Sequence, residues 1–183
     1  MEESARQKLN SLPVRARVAL ALGCAERASE NLEVNAQLYA LAQQALRAAW
    51  GWEFGEPASS RELYEYIHPL LAFESGLATN RKQLDALLSV VSAIYYVTWK
   101  ADGLERRARV ASRDKNLPND VAEVDEDTVA QSLDYAARSA GDESEARWQQ
   151  EAINKLHADF AVEDMNELGE RVSPEYFRGI DRS

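Results

Sequence analysis

Apolar and polar positions recur along most of this chain at helical spacing, and the longest apolar stretch lies at 80–101. There Leu84, Leu87, Leu88, Val91, Ile94, Tyr95, Thr98 and Trp99 follow one another three and four residues apart, as one continuous helix face. Between Asp85 and Lys100 no side chain is charged, and Ala86, Val90, Ala93 and Val97 make the opposite side apolar as well. A helix apolar most of the way round is a central one, with neighbours on several sides. It is no membrane span, which takes about 20 apolar residues, because Ser89, Ser92 and Thr98 interrupt the run between Asp85 and Lys100. Its β-branched residues would suit a strand, but its length, the Asn80 cap signal and the lack of a hairpin partner predict a buried helix.

The same pattern predicts helices on either side. A polar stretch at 2–10 reads as a short or frayed helix. Ser11 as N-cap with Pro13 in the first turn opens a helix through Val14, Val18, Leu22, Ala25 and Ser29, with Arg15, Arg17 and Arg27 turned outward. Asn35 caps the next, whose stripe Leu38, Leu41, Ala42, Ala45, Leu46 and Ala49 leads into Trp50, Trp52 and Phe54 before Gly55 and Pro57 stop it. Ser59 with Glu62 is a capping-box pattern for a short helix that bends or ends near His68, ahead of Pro69. Residues 102–120 hold Gly103, Pro118 and five basic residues with little periodicity, and read as an irregular connection. Asp125 or Asp127 can cap a helix carrying Val129, Leu133, Ala136 and Ala137 up to Gly141. Asp142 with Glu145 repeats the capping logic for a helix with the stripe Trp148, Ala152, Leu156 and Phe160. The tail 162–183 reads as weakly structured, with one start signal at Ser173 and Pro174. No repeat and no strand stands out. The expectation is an all-α, single-domain multi-helix bundle over 1–183, built around the central helix.

Composition narrows the class. The 183 residues, 45% hydrophobic and 28% charged with 8 Gly and 5 Pro, suit one helical domain with a sizeable core. The charged N-terminus has no apolar segment after a basic start, which gives no secretory address and points to the cytoplasm. The single Cys24 lies in an apolar run and reads as core filler. The net charge of −10 is unevenly placed. Residues 1–118 hold 15 basic and 14 acidic side chains, residues 119–183 hold 6 and 17, so the last third is an acidic surface. Nucleic acid and anionic membranes are excluded as partners by that charge, and a basic protein is favoured.

Chemistry is sparse. Imidazole is the usual base near neutral pH and a common metal ligand, and there are only two histidines. Glu65 and His68 have the Glu-x-x-His spacing of di-iron bundles, but a second copy is missing because Asn154 stands three residues before His157. No phosphate loop, His-Glu-x-x-His or Gly-x-Ser-x-Gly occurs, so no catalytic residue, metal or cofactor is assigned. The basic run Arg106, Arg107, Arg109, Arg113 and Lys115 has no interleaved aromatic and reads as a solvated loop. Trp50, Trp52, Phe54, Tyr64 and Tyr66 sit beside Glu53, Glu56, Glu62 and Glu65, where one helix ends and another begins. Core with a rim is one reading, a recognition surface the other, because Trp and Tyr anchor interfaces.

At that corner the chain resembles a known family. Ala45, Leu46, Trp50 and Trp52, then Glu62, Leu63, Tyr64, Glu65 and Tyr66, then Ile94, Tyr95, Tyr96 and Val97, then Leu117, Pro118, Asp120 and Val121 with Val124, Asp125 and Glu126 resemble the sixth numbered Imm family of bacterial polymorphic-toxin systems. The resemblance spans about 12–140. It implies a small cytosolic helical protein that binds a cognate toxin and blocks it, with no catalytic residue to carry over. The expected function is an immunity protein that occludes the active site of a basic toxin. The candidate contact residues are Trp52, Glu53, Glu56 and Glu62 at the aromatic corner, and Asp120, Glu123, Glu126 and Asp127 on the acidic surface. The alternatives are a helical adaptor acting through homo-oligomerisation and a metal-dependent helical enzyme using Glu65 and His68. The sequence leaves the oligomeric state open.

Overall fold

The computed structural model describes residues 3–56, 58–108, 121, 123–141 and 143–180, and the fold is all-α; among the described residues there is no strand. The α-helices are α1 (Glu3–Asn10), α2 (Val14–Ser29), α3 (Ala36–Phe54), α4 (Ser60–Tyr64), α5 (Ile67–Leu71), α6 (Arg81–Ala108), α7 (Asp127–Ala140) and α8 (Glu143–Phe160). Among the described residues there are also short 3-10 turns at Glu30–Leu32, Ser75–Leu77 and Pro174–Gly179.

The predicted central helix is α6, which packs most extensively against α7 and α2 and also meets α3, α4 and α5. Its most buried line lies only partly on the expected face, of which Leu87, Val91, Ile94 and Thr98 are buried. Ala86, Leu87, Val90, Ala93, Ile94 and Val97 are fully buried, whereas Leu84, Leu88, Tyr95 and Trp99 are only half-buried. Small residues decide this, because they let neighbouring backbones approach. Ser89 Oγ donates to the Ser132 carbonyl and Ser132 Oγ to the Ser89 carbonyl, both at 3.0 Å, so α6 and α7 touch nearly main chain to main chain. Residues 102–108, expected to begin an irregular connection, instead continue α6. Leu104, Glu105, Arg106 and Arg107 are good helix formers that outweigh one glycine, and Arg106 pairs with Asp102 one turn back at 2.6 Å. The rest of that expected connection lies outside the described residues.

Helix α2 shares the centre. Ala16, Val18, Ala19, Leu20, Ala21, Leu22, Cys24 and Ala25 are fully buried all round it. Arg15 is half-buried and Arg17, expected to face outward, is 1% exposed. A buried guanidinium requires partners, and Arg17 has the Glu126 carboxylate and the Met165 carbonyl. Ser11 does not cap α2; its hydroxyl turns back to the Lys8 carbonyl at 2.8 Å. The tail does the capping instead. The free N–H groups of Val14 and Arg15 donate to the carbonyls of Glu167 (2.9 Å) and Leu168 (3.0 Å). The tail that read as weakly structured is thus bonded to the centre of the fold, with Val172, Phe177 and Ile180 buried. The N-terminal segment is likewise docked, with Ala5 and Leu9 buried and α1 lying on α8.

Among the described residues no helix is long and apolar enough to cross a membrane.

Candidate functional site

Local rules fix the corner between α3 and α4. Asn35 caps α3, its side chain accepting the Leu38 N–H at 3.1 Å. At the other end Gly55 takes the left-handed conformation (φ 86°), where its N–H reaches the Trp52 carbonyl and the Glu56 N–H the Gly51 carbonyl. This is a Schellman close, and it folds Glu56 back onto the last turn of α3. The expected capping box opens α4: Ser59 Oγ accepts the Glu62 N–H, and the Glu62 carboxylate accepts the Ser59 N–H at 2.7 Å. Those hydrogen bonds hold the Glu62 carboxyl below the usual carboxylate range. Ser60 then ties α4 to α6, donating from N–H and hydroxyl to Glu105 at 2.7 and 3.0 Å.

These two motifs enclose a groove of about 620 Å³ lined by Ala48, Glu56, Ala58, Glu62, Leu63, Glu65 and Tyr66. Its floor is apolar and its rim carries three carboxylates. Glu56 and Glu62, both predicted contact residues, line it, and both are exposed. Trp52 is half-buried on the last turn of α3. Beside it Trp50 is buried, its indole N–H donating to Glu26 at 2.9 Å, and Phe54, 41% exposed, stacks on Trp50 with centroids 6.2 Å apart. Glu53 is the correction here. Expected as a contact residue, it points inward and is 0% exposed. Its Oε1 accepts a long bond from the Val172 N–H (3.4 Å), and its Oε2 has no partner. Burial pushes this carboxyl up to about 7 against the opposing pull of Arg15 and Arg171. Its neighbours Trp52 and Phe54 are half-buried and 41% exposed, so the polar residue of the three is the one turned inward, against what hydrophobicity alone predicts.

Glu65 and Tyr66, placed by the sequence at the aromatic corner but not among its candidate contacts, also line the groove. The chain breaks between α4 and α5 at Glu65 and Tyr66, not at Pro69, which sits in the first turn of α5 where a missing N–H costs nothing. That break separates Glu65 from His68. His68 Nε2 lies 3.0 Å from the Tyr64 hydroxyl and its ring stands edge-on to Tyr64. Among the described residues no three His, Cys, Asp or Glu side chains are grouped as a metal would need.

The acidic start of α7 is a different kind of place. Asp120 lies outside the described residues, and Glu123 is exposed. The N-cap of α7 is Glu126, which makes no side-chain cap bond, and the expected cap Asp125 accepts the Asp127 N–H at 3.0 Å from one residue earlier, while Asp127 pairs with Arg6 at 2.6 Å. Glu126, expected to face a partner, instead binds Arg17 and Lys100 and accepts the Tyr96 hydroxyl at 2.8 Å. One carboxylate here joins two cations and a phenol from α2 and α6. Its charge is consumed internally. At the start of α8, Asp142 lies outside the described residues, and Glu145 is buried against Arg27 at 2.7 Å.

A family model described as Immunity protein Imm6 matches residues 16–138, from α2 to the end of α7, with the groove inside the match. Neither the curated proteins nor the solved structures contain a match to the chain.

Proposed function

The chain belongs to the Imm6 family of immunity proteins, and from that premise we propose that it neutralises a cognate antibacterial toxin by binding it at the α3–α4 corner and occluding its active site. The family match over 16–138 carries the reading. The corner supports the choice of surface. Glu56 and Glu62 stand exposed at the rim of a concave, apolar-floored groove, with Trp52 on the adjoining turn. At the start of α7, by contrast, Glu126 and Asp127 are already paired. A basic toxin is the partner that such a rim steers and selects, since like charge on the partner would be repelled.

The test is protection. The cognate toxin domain is expressed in a bacterial host with and without this chain. Survival with the wild-type chain, and its loss on changing Glu56 to Lys together with Trp52 to Ala in a variant of unchanged helical content, is the expected result. Survival with the variant undiminished would move the toxin off this corner; no protection by the wild type would refute neutralisation of that toxin.

A further inference from the structure

We infer that the groove beside α3 receives an arginine side chain from a basic segment of the toxin, an inference that rests on the toxin-binding reading above. The shape and chemistry of the groove suit no other protein side chain as well. Ala48 and Ala58, backed by the buried Leu63, offer an apolar floor for an aliphatic stem, and Tyr66 a ring on which a planar cation can stack. Glu56, Glu62 and Glu65 offer acceptors around it. Guanidinium has donors in a flat fork that can serve two carboxylates at once, is weakly hydrated and stacks on aromatic faces. An ammonium is a compact, strongly hydrated point charge.

The rim has charge to spare. Among the described residues Glu56 has no cationic partner, and Glu65 has only Arg61 at 3.8 Å, a long and exposed pair that binds its charge weakly. Glu62 is locked in place by Ser59 and stays ionised. A cation from outside is the complement that this arrangement calls for.

Gly51 gives the placement a second mark. Its φ is not positive, so the backbone does not demand glycine there, and glycine is a poor residue inside a helix. What the missing side chain makes room for is Glu56: a Cβ on Gly51 would stand 2.5 Å from Glu56 Oε2 and 3.2 Å from its Cδ. The missing side chain lets the Glu56 carboxylate lie against α3. Because the clash would be with the mobile end of a side chain, Gly51→Ala moves the carboxylate and leaves the helix intact.

Two measurements on the full chain decide the matter. Backbone amide NMR shifts are followed while acetyl-Gly-Arg-Gly-amide is added, with acetyl-Gly-Gln-Gly-amide as control. Saturable shifts confined to residues 48–66, seen only with the arginine peptide, abolished by Glu56→Gln with Glu65→Gln and weakened by Gly51→Ala, are expected. Shifts spread evenly over the acidic surface, or unchanged in the variants, overturn the proposal. Glu62 is left intact because it caps α4. In the second arm the toxin domain is bound to the same proteins, and the double Gln variant should bind about tenfold more weakly than wild type, the size of two exposed charge contacts. A toxin that binds wild type and variant alike overturns the groove while leaving toxin binding standing. A toxin that binds neither overturns the toxin-binding reading and this inference with it.

Discussion

Glu53 carries an ionisable carboxyl to a place closed to solvent, and its consequence for stability has a definite sign. Burial raises its folded pKa to about 7 from an ordinary value of 4.5. The folded state therefore holds the proton more tightly than the unfolded chain. The stability this contributes is fully present below the ordinary carboxylate range and is lost as pH rises through about 7, an effect on the order of 3 kcal/mol. Glu26, raised chiefly by burial, acts in the same direction. Urea unfolding followed from pH 5.5 to 8 should show stability falling with pH, and Glu53→Gln should flatten most of that slope and be the more stable protein at pH 8. An unaltered slope would place the effect elsewhere. Glu126 makes the opposite kind of residue. Removing its charge strands Arg17, which is 1% exposed, and also frees Lys100. Breaking one side of a buried pair costs about 3–5 kcal/mol, so Glu126→Ala should shift the denaturation midpoint far more than Glu123→Ala, whose side chain is exposed.

At the scale of elements, the two central helices are distinguished by how close their neighbours come. Ile94 is fully buried in α6 and Leu88 half-buried. Ile94→Ala should cost about 2–5 kcal/mol and Leu88→Ala clearly less, measured by chemical denaturation; equal costs would contradict the observed phase of α6. The helix itself was legible from its uncharged run, and so were the Asn35 cap, the Gly55 stop and the Ser59–Glu62 capping box, because each is a local rule written within four residues. The phase of α6 was only partly legible: Leu87, Val91, Ile94 and Thr98 are buried as expected, and Leu84, Leu88, Tyr95 and Trp99 are not. A helix apolar on both sides leaves its orientation to whichever neighbours have small residues, here Ser132 in α7 and the alanines of α2. The start of α2 was misread for a related reason: its caps are carbonyls of Glu167 and Leu168, some 150 residues away and without side-chain signature. Arg17 was unreadable in the same way, since nothing near it in sequence announces Glu126.

For the whole molecule, the uneven charge takes on a different meaning once pairings are known. Glu126, Asp127 and Glu145 belong to the fold, joining the acidic third to Arg17, Lys100, Arg6 and Arg27. The carboxylates of the α3–α4 groove lie in the part of the chain that is nearly neutral in sum, so net charge could not single them out. Glu56 and Glu62 were legible as candidate contacts beside the aromatic cluster; Glu65 and Tyr66 were legible only as members of that corner, because the break between α4 and α5 that turns them to the groove is not signalled by Pro69. The central claim is that the toxin is held at this corner. Hydrogen–deuterium exchange on the purified complex, compared with the free chain, tests it directly. Exchange slowed on binding across residues 48–66, with 123–145 unchanged, is the predicted result; slowing confined to 123–145, with 48–66 exchanging as in the free chain, would contradict it.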